Sequence, residues 1–89
     1  MALTLSIREG EDVYLNDTRA VVNKVLGESS FEISIDEGTF LVSDEKMTQV
    51  TPDVMMSAGV CDTLGTAKVV LKAPKEVVIL RGAVYRGEA

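Results

Sequence analysis

Eighty-nine residues, a formal net charge of −5 and a 46% share of hydrophobic side chains describe one small domain, which buries only about 60–65% of its unfolded surface and has a marginal core when it stands alone. Cys61 is the single cysteine and histidine is absent, so an intrachain disulfide and the zinc ligand set are both excluded, leaving oligomerisation as the expected support. Without an imidazole base or a glycine-rich phosphate cradle no enzyme is expected, and no cofactor or metal.

The hydrophobic pattern is that of strands from one end to the other. Leu3, Leu5 and Ile7 alternate with Thr4, Ser6 and Arg8, and the turn Glu9-Gly10-Glu11 follows. Short runs at 12–15 and 19–26 flank Asn16-Asp17. Phe31, Ile33 and Ile35 then alternate with Glu32, Ser34 and Asp36 across 30–36. Strands are expected again at 39–43, 54–60, 66–72 and 75–81, with turn residues at Asp36-Glu37-Gly38, Asp62-Thr63-Leu64-Gly65 and Ala73-Pro74. Proline cannot donate to a ladder, so Pro74 separates the last two runs. The only stretch that could be helical is Asp44–Gln49. Gly10 reads as a turn glycine at positive φ, Cys61 as a small apolar filler, and Met55-Met56 as core or interface packing. The expectation is an all-β domain spanning 1–89.

Charge is unevenly spread. Residues 1–65 carry four basic and twelve acidic side chains (−8), whereas residues 66–89 carry five basic and two acidic ones (+3). Phosphate responds to local potential within a Debye length of ~8–10 Å, so a basic C-terminal strand pair can attract RNA on an acidic protein. The same lysines would equally solubilise a sheet face. No apolar run approaches the ~18 residues of a membrane span and no signal peptide is visible, so a cytoplasmic protein without membrane attachment is expected.

Two stretches carry a family resemblance. Ala73-Pro74-Lys75-Glu76-Val77-Val78-Ile79-Leu80-Arg81, ending in Val84-Tyr85-Arg86, resembles the last strand of the carbon storage regulator (CsrA/RsmA) family of small RNA-binding translational regulators. Leu3-Thr4-Leu5-Ser6-Ile7-Arg8-Glu9-Gly10-Glu11 resembles that family's first strand and turn. The resemblance implies a small, twisted, antiparallel, barrel-like β fold in a strand-exchanged homodimer, each RNA site being built from strand one of one chain and the last strand of the other. Carried onto this chain, the implied RNA contacts are Leu5, Arg8, Lys75, Val77, Ile79 and Arg81. Arg81 would be the main one, because its fork suits a guanine edge or a phosphate. Val77, Ile79 and Arg81 would share one face of a strand over 75–81. Ile7 stands where a second arginine is usual, Glu9 where an apolar residue is usual and Leu80 where a polar one is.

Residues 18–54 are foreign to the short family pattern. They would be an inserted β segment or a duplicated hairpin, since the pattern Ile33…Ile35…Leu41-Val42 recurs at an offset of 36 as Val69…Leu71…Val77-Val78. Two functions follow. One is an RNA-binding regulator of translation that grips GGA-type mRNA loops. The other is a non-catalytic structural or assembly protein, of phage or mobile-element type, that has lost RNA binding and turns its acidic face (Glu28, Glu32, Asp36, Glu37, Asp44, Glu45) to a protein partner.

Overall fold

A computed structural model describes residues 2–36, 38–61 and 63–87. They form β1 (Ala2–Arg8), β2 (Asp12–Leu15), β3 (Thr18–Gly27), β4 (Ser30–Ile35), β5 (Gly38–Ser43), β6 (Thr48–Thr51), β7 (Val54–Gly59), β8 (Thr66–Lys72), β9 (Ile79–Arg81) and the single turn of helix α1 (Gly82–Tyr85). The fold is all-β. Two antiparallel sheets, ordered β1-β8-β7-β6 and β5-β4-β3-β2-β9, stack on one shared core and do not close into a barrel. Among the described residues no helix is long and apolar enough to cross a membrane.

Period-two alternation buries one face of each sheet. Ile7, Val69, Leu71, Met56 and Ala58 come from the first sheet, and Val13, Leu15, Val22, Phe31, Ile33 and Val42 from the second. Turn chemistry sets the register. Gly10 has φ 90° between β1 and β2, and its N–H reaches the Val22 carbonyl at 2.7 Å. Asn16, at φ 57°, makes the two-residue link from β2 to β3. Gly10→Ala meets open space but must hold an L residue in a left-handed conformation. It should cost about 1 kcal/mol in a denaturant titration; an unchanged midpoint would count against that backbone reading.

Two expected elements differ. The segment 44–49 is not helical: Asp44–Lys46 bend, and Thr48–Thr51 form β6 on the edge of the first sheet, paired to β7 with an irregularity at Val50. Three of its four residues are β-branched, and the pairing overrides the helix-forming Glu45-Lys46-Met47 before it. The expected strand 75–81 shrinks to β9 at 79–81. The Val77 N–H returns to the Pro74 carbonyl at 3.1 Å, so Lys75-Glu76 turn and drive Val77 inward.

The pairing repeats itself. Exchanging β1, β2, β3 and β4 for β5, β6, β7 and β8 converts the order β1-β8-β7-β6 into β5-β4-β3-β2. Registers follow the same rule: Leu3 lies opposite Leu71 as Gly38 lies opposite Ile35, and Ile7 opposite Ala67 as Val42 opposite Phe31. Likewise Ala20 faces Ile35 and Val22 faces Ile33, as Met56 faces Leu71 and Ala58 faces Val69. Side chains at matching positions compensate in volume, Phe31 against Ala67 and Met56 against Ala20, all four buried. The offset of 36 therefore joins Ile33 and Ile35 to Val69 and Leu71 but does not join β5 to the 77–78 segment; the counterpart of β5 is β1.

The halves exchange their first strands. β1 of the first half lies beside β8 of the second, and β9, after the second half, lies beside β2 of the first, with Val13 opposite Arg81 and Leu15 opposite Ile79. β1 and β9 themselves do not pair: they lie at the edges of different sheets, and a side-chain hydrogen bond from Arg81 Nη1 to the Ser6 carbonyl links them.

Candidate nucleic-acid interface

β9 is held in place by a polar clamp. Asn16 takes both hydrogen bonds of Val78: its N–H donates to the Val78 carbonyl at 2.7 Å, and its Oδ1 accepts from the Val78 N–H at 2.9 Å. Four residues further on, Gly82 is buried against the carboxylate of Asp12, where a Cβ would overlap the Asp12 side chain. Asp12 is itself buried. It accepts from Arg19 Nε at 2.6 Å and from Arg86 Nη1 at 2.8 Å, so α1 is tied back onto β2. The Arg86 hydrogen bond, opposed by burial and reinforced by Arg19, holds the Asp12 carboxyl below the ordinary carboxylate range. Tyr85 stacks on Tyr14 with ring centroids 3.8 Å apart, and its hydroxyl donates to Asp17 Oδ1 at 3.0 Å. The Asp17 carboxylate raises the phenol above its usual pKa.

This clamp fixes the direction of Arg81. The residue lies beside Val13 at the end of β9, and its Nη1 donates to the Ser6 carbonyl of β1 at 2.7 Å. A guanidinium has five N–H donors, and this bond uses one of them. Arg81 has no ion pair among the described residues, in contrast to Arg19 and Arg86.

β1 offers Ala2, Thr4, Ser6 and Arg8 on the outer face of the first sheet. Across from them on β8 stand Lys72, Val70, Lys68 and Thr66, and beyond these Met55, Ser57 and Gly59 on β7. The strand positions of this face carry Arg8, Lys68, Lys72 and hydroxyls, and Asp53 of the β6–β7 turn lines the same hollow as Lys72 and Met55. Cations spaced along a strand with Arg81 at its edge form a track suited to a phosphodiester backbone.

The six expected contacts fall into four groups. Arg8, at the end of β1, and Arg81, at the end of β9, are both exposed. Leu5 and Ile79 are half-buried and pack against the core. Val77 is buried, not on an exposed apolar ridge with Ile79 and Arg81, because the turn after Pro74 points it inward. Lys75 is exposed in that turn, three residues beyond the Lys72–Ala2 pair, whereas Arg8 ends β1 some 20 Å away along the strand. Ile7, where a second arginine is usual, is 1% exposed, so no cation can stand there without being buried unpaired. The Glu9 carboxylate accepts from the Val25 N–H at 2.9 Å and Glu11 from the Arg8 N–H at 3.0 Å, so both brace the turn after β1. Leu80 lies opposite Tyr14 on the outer side of the second sheet.

Lys68 and Lys72 were not among the expected contacts, although their alternation with Ala67, Val69 and Leu71 already put them on one outer face. The Asp12–Arg86 pair leaves no such trace, because Arg86 reaches Asp12 only when α1 folds back, whereas the β2–β3 hairpin itself brings Arg19 there. Among the described residues no group of three or more metal-ligating side chains converges. Comparison with protein-family models, curated proteins and solved structures gives no match to this chain.

Proposed function

We propose that this chain is a divergent relative of the carbon storage regulators that binds single-stranded RNA of GGA type at the β1–β9 junction and so regulates translation of a message. The observation that carries the reading is the reach of Arg81 from the last strand onto the Ser6 carbonyl of the first, beside a sheet face bearing Arg8, Lys68 and Lys72. The resemblance implies a first and a last strand paired between two subunits; here the two strands are neighbours within one chain, linked through the Arg81 side chain and not paired. A purine edge or phosphate would take the remaining Arg81 donors, and the lysines would follow the backbone.

Fluorescence anisotropy with a GGA-loop hairpin at two salt concentrations tests it. Binding should weaken steeply with salt. Arg81→Ala should lose about ten- to a hundredfold in affinity, roughly 1–3 kcal/mol, with its unfolding midpoint unchanged, since the side chain is exposed. Absence of binding at low salt would favour the second reading, an assembly protein whose acidic surface meets a basic partner. The net charge of −5 supports that alternative.

A further inference from the structure

The pseudo-symmetric repeat predicts a second site, on β5, wherever the fold builds one on β1. We infer that this second site is blank, and that one chain, without a second copy, carries one RNA-binding site. The RNA ligand rests on the function proposed above; the assembly does not.

Each half of the fold should supply a first strand, three further strands and a closing strand for the other half. The second half continues from Lys72 through Ala73 to β9 and α1. The first half does not: β4 ends at Ile35 and β5 begins at Gly38, leaving no room for a closing strand. Consequently the sheet holding β1 has four strands and its mate has five. Among the described residues no arginine stands in a position equivalent to Arg81 beside β5.

The side chains around the two first strands diverge in the same sense. Lys68, opposite Ser6, has Glu32 as its counterpart, opposite Leu41. Lys72 corresponds to Asp36, and Arg8 to Ser43, whereas the acidic residue that follows is common to both, Glu9 after β1 and Asp44 after β5. Strands in equivalent register thus carry lysines beside β1 and carboxylates beside β5, so phosphate is attracted to the first and repelled from the second.

The vacant edge of β6, where a closing strand would pair, has also lost its clamp. Asn16 grips Val78 beside β2; the equivalent link between β6 and β7 carries Pro52, which has neither the N–H nor the amide. The irregularity at Val50 further disfavours pairing with an incoming strand. Both exchanged strands, β1 and β9, already have partners within the chain.

Sedimentation of the protein alone, followed by calorimetric titration with a short GGA-loop RNA, tests the inference. The expected results are a mass near 9.6 kDa that does not change on dilution, a stoichiometry of one RNA per chain, and at least tenfold loss of all binding in Arg81→Ala. A dimer that must form before RNA binds, or two RNAs per chain, would overturn it. So would a second phase of binding that survives Arg81→Ala. A monomer that binds no RNA at low salt would overturn the proposed function and the single-site assignment with it, a result distinguishable from the others by the missing heat.

Discussion

Replacing Gly82 by alanine should destabilise the protein by about 3 kcal/mol, more than any surface substitution. Gly82 is buried at the start of α1, and a Cβ there would occupy the space of the Asp12 carboxylate. That carboxylate cannot swing aside without breaking its bonds to Arg19 and Arg86. Overpacking alone costs typically 1–3 kcal/mol, and disruption of a buried ion pair adds to it. On a domain of this size the melting temperature should fall by roughly 15 °C. Gly27→Ala is the control, because its Cβ would have only Ser30 Oγ nearby, at 3.9 Å. If Gly82→Ala melts within a few degrees of wild type, α1 is not seated on Asp12. The variant should also bind RNA weakly, because Arg81 immediately precedes the displaced glycine.

The strands that can be read from sequence are those with one face buried along most of their length. β1, β4 and β8 alternate without interruption, because each packs one side on the shared core and turns the other outward. β6 escapes such reading. Only Val50 of its four residues is buried, and its strand character comes from pairing with β7. β9 is over-read for the opposite reason. Val77, Val78, Ile79 and Leu80 form an apolar run that period-two reasoning extends into a strand, while Pro74 makes a turn that places Val77 in the core.

For the candidate site, Arg8 and Arg81 could be found because each is an exposed cation on a recognisable strand. The reach of Arg81 onto β1 within one chain could not, because it depends on strand order, and strand order follows from which edges find partners rather than from local pattern. The repeat was audible in the spacing of Ile33 and Ile35 with Val69 and Leu71. What that spacing meant for β5 was hidden, because Thr39-Phe40-Leu41-Val42 and Leu3-Thr4-Leu5-Ser6 have little in common beyond alternation.

Neutralising Asp12 should make the protein's stability lose part of its pH dependence. In the wild type this carboxyl is buried, bonded to two guanidinium groups, and titrates below its unfolded value. A depressed folded pKa means that the folded state holds the charged form more strongly. The contribution to stability is therefore complete above the ordinary carboxylate range, about pH 4, and is lost as pH falls through the lowered value. Asp12→Asn keeps the shape but removes the charge, leaving Arg19 and Arg86 facing each other. Both arginines are partly exposed, with side chains 56% and 39% accessible, so water relieves some of their repulsion and the full cost of a broken buried pair does not apply. About 2 kcal/mol at pH 7 is the expected loss, in the range of charge-assisted hydrogen bonds. Denaturant titrations of wild type and Asp12→Asn from pH 7 to pH 2 should show that difference constant down to about pH 5 and shrinking below pH 4. A difference that stays constant to pH 2, or that is absent at pH 7, would mean that Asp12 does not hold the C-terminal turn through its charge, and that Arg81 is positioned by the Asn16 clamp alone.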